Sequence, residues 1–239
     1  MSSKTLEPPY GDIVDFHSHI LPGVDHGSDN LKTSIAQLEF AKTHHVKRIL
    51  ATSHFYPNEH TVSSFLEHRN QAALDLKNNA FDGMPDIKLG AEVLICSALE
   101  RLPGLEKLCF SGTSYIMLEL PTYEFSEEYA ITAGYIADRG FKVILAHADR
   151  YPEYAVEVML DYGVSSLQIN TYSIASLFKK KRIFNWIERG LVSSIGSDIH
   201  GVSHFAYRKF LLAQKRLGGL LLPIKEASDK IWNEITAFN

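Results

Sequence analysis

Two cysteines in 239 residues, Cys96 and Cys109, are too few to staple a small fold and suit a reducing, cytoplasmic setting. No apolar run approaches the ~20 residues that span a bilayer. The polar, proline-ended start from Met1 to Pro9 reads as neither signal peptide nor membrane anchor. Neither sign of charge dominates: 24 Lys and Arg stand against 28 Asp and Glu, and the net charge of −4 argues against a nucleic-acid-binding surface. No linker, low-complexity run or charge block divides the chain, so residues 1–239 read as one domain. There is no Gly-x-Ser-x-Gly elbow, no phosphate-cradling glycine loop and no dinucleotide fingerprint.

What the chain does have is histidine, 11 in all, and their placement is patterned. Ile13, Val14 and Phe16 read as a short buried strand that stops at His17 and His19. In an extended chain residues i and i+2 point the same way, so these two imidazoles converge. The same event recurs downstream. Residues 48–52 read as a strand running into His54, residues 86–91 as one delivering Glu92, and residues 115–118 as one delivering Glu119. Residues 141–146 deliver His147, residues 167–169 end at Asn170, and residues 191–196 deliver Asp198 and His200. Helical stretches are expected between them, at about 62–80, 127–139, 153–162 and 172–189, with a final amphipathic helix after Pro223. Apolar strands alternating with helices indicate a parallel sheet covered by helices, and about seven such units fit a closed or nearly closed β/α barrel.

In such a barrel the loops converge at the carboxyl ends of the strands. His17, His19, His26, His54, Glu92, Glu119, His147, Asp198 and His200 would gather there, enough for two or three metal ions with a bridging carboxylate. Ligation by nitrogen and oxygen without thiolate suits Mn, Fe or Zn. Clustered ions of this kind hydrolyse phosphate esters by generating hydroxide and neutralising phosphate charge. Arg150 stands three residues after His147, where a guanidinium would hold a phosphate in a bidentate grip; Asp149 would act as an acid or orient Arg150. Cys96 is one residue short of a Cys-x5-Arg loop and Cys109 has no such arginine, which sets thiol chemistry aside. His60 and His204 are placed near the site mouth.

These residues resemble a known family. His17-Ser18-His19, the loop Gly23 to Gly27, Thr52-Ser53-His54, Gly90-Ala91-Glu92, Glu119, Ala146-His147 and Ser197-Asp198-Ile199-His200 are similar to the PHP (polymerase and histidinol phosphatase) superfamily. Order and spacing resemble its bacterial capsule-type (CpsB-like) manganese-dependent protein-tyrosine phosphatases. The resemblance implies a distorted seven-stranded β/α, TIM-like barrel and a cytoplasmic phosphomonoesterase with Mn2+ as cofactor. Its substrate would be a phosphotyrosine protein, a tyrosine kinase governing polysaccharide export; alternatives are a small phosphate ester, a phosphodiester or a non-catalytic module. One metal would take His17, His19, Glu92 and Asp198, a second Glu92, Glu119 and His147, and a third His26, His54 and His200. A metal-bridging hydroxide would attack phosphorus directly, with Arg150 gripping the phosphoryl oxygens. The chain departs from the family pattern at three points. His26 stands where the capsule-type enzymes have Asp, Asp149 stands in a shorter-acid version of their His-Pro-Glu-Arg-Tyr loop, and the Arg-Pro-Pro segment after the last histidine is missing, leaving Arg208 as its substitute.

Overall fold

The computed structural model describes residues 11–121, 124–176, 181–203 and 205–238. Each expected strand is present, and two of them are split. The strands are β1 (Val14–Ser18), β2 (Arg48–Ala51), β3 (His54–Phe55), β4 (Asp86–Leu89), β5 (Glu92–Leu94), β6 (Tyr115–Glu119), β7 (Lys142–Leu145), β8 (Ser166–Asn170) and β9 (Val192–Gly196). All pairings are parallel. They form one sheet in the order β1-β2-β4 and a second in the order β3-β5-β6-β7-β8-β9. The fold is therefore mixed α/β with parallel sheets rather than one continuous ladder. Thr52-Ser53 separates β2 from β3, and Gly90-Ala91 separates β4 from β5. Backbone bonds still cross these breaks, from Thr52 N to Ser18 O at 2.9 Å, Gly90 N to Ala51 O at 2.8 Å and Glu92 N to Ser53 O at 3.1 Å. At the far edge Ser18 of β1 bridges Ile199, just beyond β9.

The helices are α1 (Leu31–Thr43), α2 (Val62–Asn78), α3 (Glu127–Asp138), α4 (Glu153–Asp161), α5 (Thr171–Ala175), α6 (Lys181–Glu188), α7 (Ala206–Leu217) and α8 (Leu221–Glu234). Asn30 caps α1, its extended backbone letting its side chain accept from Thr33 N at 3.1 Å. The single helix expected over 172–189 is described as α5 and α6, and residues 177–180 between them lie outside the described residues, as does His204. Among the described residues no helix is long and apolar enough to cross a membrane.

Alternation along the strands sorts the buried side chains into two groups. Val14, Phe16, Leu50, Met117, Ile144 and Ala146 pack with Phe110, Tyr115 and the C-terminal Ile231, Trp232 and Ile235. Their strand neighbours Ile116, Leu118, Val143 and Leu145 join the larger cluster under the helices, which runs from Ile13 to Ile224. Each fully buried side chain of this size contributes roughly 1.5–3 kcal/mol.

Candidate metal centre

One irregularity aims the first two histidines. Asp15 pairs with Ile49 and Ser18 with Ala51, so β1 has an extra residue in that interval. A bulge of this kind turns consecutive side chains to one side. Phe16 stays in the inner apolar group while His17, next along, reaches Glu92. Two glycines leave room for the pair. A Cβ on Gly196 would lie 2.4 Å from His17 Cβ, and one on Gly27 would lie 2.0 Å from His19 Cβ. Asp15 secures the end of β1 to the loop after β9, accepting from Ser197 N at 2.7 Å and Ser197 Oγ at 2.6 Å. Burial pushes its carboxyl up to about 6.

The middle of the cluster is Glu92, wholly buried at the start of β5. Its Oε2 lies 3.0 Å from His17 Nε2, 3.2 Å from His19 Nε2 and 3.1 Å from His54 Nδ1. Its Oε1 faces the other way, 2.7 Å from His147 Nε2. Glu119, at the end of β6, adds Oε2 at 3.4 Å from His54 Nδ1 and Oε1 at 3.4 Å from His147 Nε2. Asp198 Oδ1 stands 3.6 Å from His17 Nε2 and 3.4 Å from His19 Nε2. His200 stacks on His19 with ring centroids 4.1 Å apart, and His26 stacks on His54 at 4.8 Å and on His200 at 4.7 Å. All nine expected ligands are thus neighbours, although His26 is exposed and meets the others only through its ring. His147 and Asp198 both adopt left-handed backbone, φ +30° and +51°. Non-glycine residues hold that conformation at a cost the surroundings must offset, and such strain collects at functional sites.

The hydrogen bonds fix which ring nitrogens are free. His19 Nδ1 is 2.9 Å from Asp25 Oδ2, and a carboxylate only accepts, so Nδ1 carries the proton and Nε2 is bare. His200 Nδ1 donates to the Asp198 carbonyl at 3.1 Å, and its Nε2 is buried with no hydrogen-bond partner. His54 Nδ1 is buried too, and the Glu92 oxygen 3.1 Å away lies outside hydrogen-bonding geometry. His17 Nε2 and His19 Nε2 face each other at 3.1 Å with Glu92 between them. Lone pairs converging on carboxylate oxygens call for positive charge at that point, and protons and a metal ion compete to supply it. The titration behaviour agrees. Burial opposes charge on His19, yet bonds to Asp198, Asp25 and Glu92 hold it well above the usual range. Burial opposes charge on His147 too, but Glu92 and Glu119 push it up to about 9. Burial also works against Glu92, and the imidazoles of His17 and His147 nonetheless hold it well below the usual carboxylate range. His200, by contrast, is pushed down to about 4 by burial and by the charge on His19.

These residues fit a metal. Two ligands ~2.1 Å from one ion and at right angles are ~3.0 Å apart, and the separations here run from 2.7 to 3.6 Å. Three sets bring their ligand atoms together: His19, His54 and His200; His17, His19 and Glu92; and His54, Glu92 and Glu119. Neither cysteine belongs to one. Burial pushes the Cys109 thiol up to about 12 and raises Cys96 as well, the wrong direction for a thiolate nucleophile.

Around the cluster, Arg150 donates from Nη2 to Asp198 Oδ2, with its side chain about half exposed. It stands on the rim of a cavity of about 800 Å³ lined also by Asp198, His200, Tyr172, Phe205 and Lys209. Asp149 is buried, accepting from Asn170 N at 2.8 Å and Ser173 Oγ at 2.5 Å, which makes it an anchor for α5. Arg208 is exposed and is not among the cavity-lining residues. The cation that α7 turns to the cavity is Lys209, whose Nζ lies 3.2 Å from the Tyr172 ring centroid. Sequence reasoning also missed Asp25, Gln168, Asn170 and Tyr151. Asp25 had a signal, a carboxylate within a tight turn beside His26; Tyr151, whose hydroxyl lies 3.1 Å from His147 Nδ1, had only its place after Arg150.

Parallel strands whose carboxyl ends gather imidazoles and carboxylates around bare, buried nitrogens form the arrangement of a metal-dependent hydrolase. The chain belongs to the CpsB/CapC family of capsular polysaccharide synthesis, whose model matches residues 13–209. It is 29% identical over 210 residues to tyrosine-protein phosphatase CpsB of Streptococcus pneumoniae, covering 80% of this chain and 84% of that one. It is 27% identical over 203 residues to tyrosine-protein phosphatase YwqE of Bacillus subtilis, covering 80% and 78%. A chain from the crystal structures of YwqE from Bacillus subtilis and CpsB from Streptococcus pneumoniae, unique metal-dependent tyrosine phosphatases, shares the fold with a TM-score of 0.75. That match is 22% identical and covers 94% of this chain and 96% of that one.

Proposed function

We propose that this protein is a metal-dependent phosphatase of phosphotyrosine in proteins, with Mn2+ as the native ion and Fe or Zn as the alternatives. The observation that carries the reading is Glu92, whose two oxygens face four imidazole nitrogens, two of them bared by acceptors at their other ring nitrogens. His17, His19, Glu92 and Asp198 would hold one ion, Glu92, Glu119 and His147 a second, and His26, His54 and His200 a third. When bound, such ions make water nucleophilic at neutral pH and neutralise charge on the phosphoryl group. Residues 1–239 act as one domain, supported by the apolar cluster that runs from Ile13 to Ile224. The strands close into a distorted seven-stranded barrel if the β2–β3 and β4–β5 pairs each count as one strand, the Ser18–Ile199 bridge supplying the last contact. The relatives are tyrosine phosphatases and the family is one of capsule synthesis, so we assign the substrate to a cytoplasmic tyrosine kinase governing polysaccharide export.

The chain's own residues then have distinct tasks. Arg150, freed from Asp198 on one side, presents its planar fork to the phosphoryl oxygens. Asp149 keeps the loop after His147 in place through α5 and so orients Arg150. The cavity takes the aryl group and its flanking peptide, with the exposed rings of Tyr172 and Phe205 as walls. A panel assay on Mn2+-reconstituted protein tests this. Phosphotyrosine peptide should be turned over in preference to histidinol phosphate and to a phosphodiester, and the Cys96→Ser, Cys109→Ser double variant should keep near-native turnover. Inhibition by alkylation but not by chelators would sink the reading.

Lys209 and Arg208 give a finer test. Losing a cation that faces an acidic flanking residue costs about 1 kcal/mol. Lys209→Ala should therefore raise KM for an acidic phosphotyrosine peptide about fivefold, while Arg208→Ala leaves it unchanged. The reverse ranking in steady-state kinetics would restore Arg208 as the substitute for the missing arginine.

A further inference from the structure

Of the strands that the sequence marks as ending near the site, β8 alone delivers no histidine or carboxylate. It delivers two amides. Gln168 and Asn170 lie two residues apart on one face of the strand and are both buried. Their orientation follows from the groups around them. The backbone nitrogen of His147 can only donate, so the Gln168 atom 2.6 Å from it is the carbonyl oxygen Oε1. Gln168 Nε2 then donates to Asn170 Oδ1 at 3.1 Å, which turns Asn170 Nδ2 toward Asp198 Oδ2 at 2.8 Å. No flip of either amide satisfies all three contacts. The other lone pair of Gln168 Oε1 receives His17 Nδ1 at 3.0 Å. An acceptor there holds the proton on Nδ1 and leaves His17 Nε2 bare, 3.0 Å from Glu92 Oε2.

We propose that the Gln168–Asn170 amide pair is the positioning element of the metal centre, fixing the His17 tautomer and holding His147 and Asp198 in register with it. This rests on the metal reading above. The pair ties together residues from β1, from the end of β7 and from the loop after β9: Gln168 holds His17 and His147, and Asn170 holds Asp198. His19 is held in the same manner by the carboxylate of Asp25. At His17 an amide does the task without adding a further negative charge beside Glu92 and Asp198. Gly196 makes the arrangement fit, since a Cβ there would lie 2.9 Å from Gln168 Nε2 as well as against His17. The two left-handed residues among the candidate ligands, His147 and Asp198, are ones whose backbone or side chain the amides hold.

The experiment measures Mn2+ affinity by chelator competition for the full-length wild type, Gln168→Met, Gln168→Glu and Asn170→Ala, with nitrogen chemical shifts of His17 recorded in the metal-free proteins. Gln168→Met keeps the volume and loses both bonds, so it should bind Mn2+ ~10–100-fold more weakly, as is typical when the partner of a ligating histidine is removed. Its His17 spectrum should shift toward the Nε2-protonated tautomer. Gln168→Glu keeps an acceptor for His17 and His147 and should recover most of the affinity. Asn170→Ala loosens only Asp198 and should lose less than Gln168→Met does. A Gln168→Met protein that binds Mn2+ within threefold of wild type, or a Gln168→Glu protein no better than Gln168→Met, overturns the proposal. If Gln168→Met does not fold, Asn170→Ala decides: unchanged affinity overturns it and a clear loss supports it. A wild type that binds no Mn2+ at all fails differently, by removing the metal reading itself.

Discussion

Replacing Glu92 by Gln should remove metal and turnover together. The substitution keeps shape and volume, and it takes away the one charge that four imidazole nitrogens share. Its new NH₂ group would donate to bare ring nitrogens and so occupy the lone pairs that would otherwise face an ion. Metal content should fall from the two or three ions proposed per chain to below one in protein purified without chelator. Bound metal supplies several kcal/mol of charge stabilisation, so kcat/KM on an aryl phosphate should drop by ~10³-fold or more. Chelation of the wild type should reproduce the loss, and Mn2+ should reverse it. Full metal content in Glu92→Gln, or turnover that survives chelation, would refute the metal centre.

Arg150→Ala should separate phosphate chemistry from metal binding. The guanidinium touches Asp198, so the first concern is that its removal disturbs a ligand. Asp198 Oδ2 keeps the donor Asn170 Nδ2 at 2.8 Å, however, and burial and His17 act on its carboxyl whether or not Arg150 is present. Metal content should therefore stay at the wild-type level. If the same guanidinium grips the phosphoryl group as its charge redistributes, kcat/KM should fall by ~10²–10³-fold. Arg150→Lys should recover only part, because an ammonium does not reproduce the planar fork. Near-native kcat/KM in Arg150→Ala would reduce the contact to an ion pair with Asp198.

The gathering of strand-end imidazoles and carboxylates was legible because the rules that govern it are local. Alternation sends His17 and His19 the same way, and parallel strands bring Glu92, Glu119 and His147 to one end whatever the loops between them do. Residues that hold the ligands were not legible, because their partners are remote in sequence. Gln168 meets His17 across 151 residues, and nothing near either one announces it. Helical phase hid another residue. The segment after His200 offers Arg208 and Lys209 side by side, and which one faces the cavity depends on where α7 begins, since one residue turns a helix by ~100°. The split strands escaped notice for a related reason. Gly90-Ala91 and Thr52-Ser53 carry neither proline nor charge to mark a stop, and the break appears only in how neighbouring strands pair.

The C-terminal helix has a bearing on the order in which the molecule forms. Ile231, Trp232 and Ile235 complete the inner apolar group with Val14 and Phe16 of the first strand, and Lys88 Nζ donates to Trp232 O and Ile235 O at 2.7 Å. Residues 231–235 lie past the end of the family match at 209 and past His200, the last of the expected ligands. Contacts between the first strand and the last helix close a loop of nearly the whole chain, the kind that forms late and slows folding. During synthesis every ligand is made before the residues that finish the interior, and several parallel strands wait with open edges. Substitutions in this tail should therefore show in the yield of folded protein, at sites remote from the chemistry.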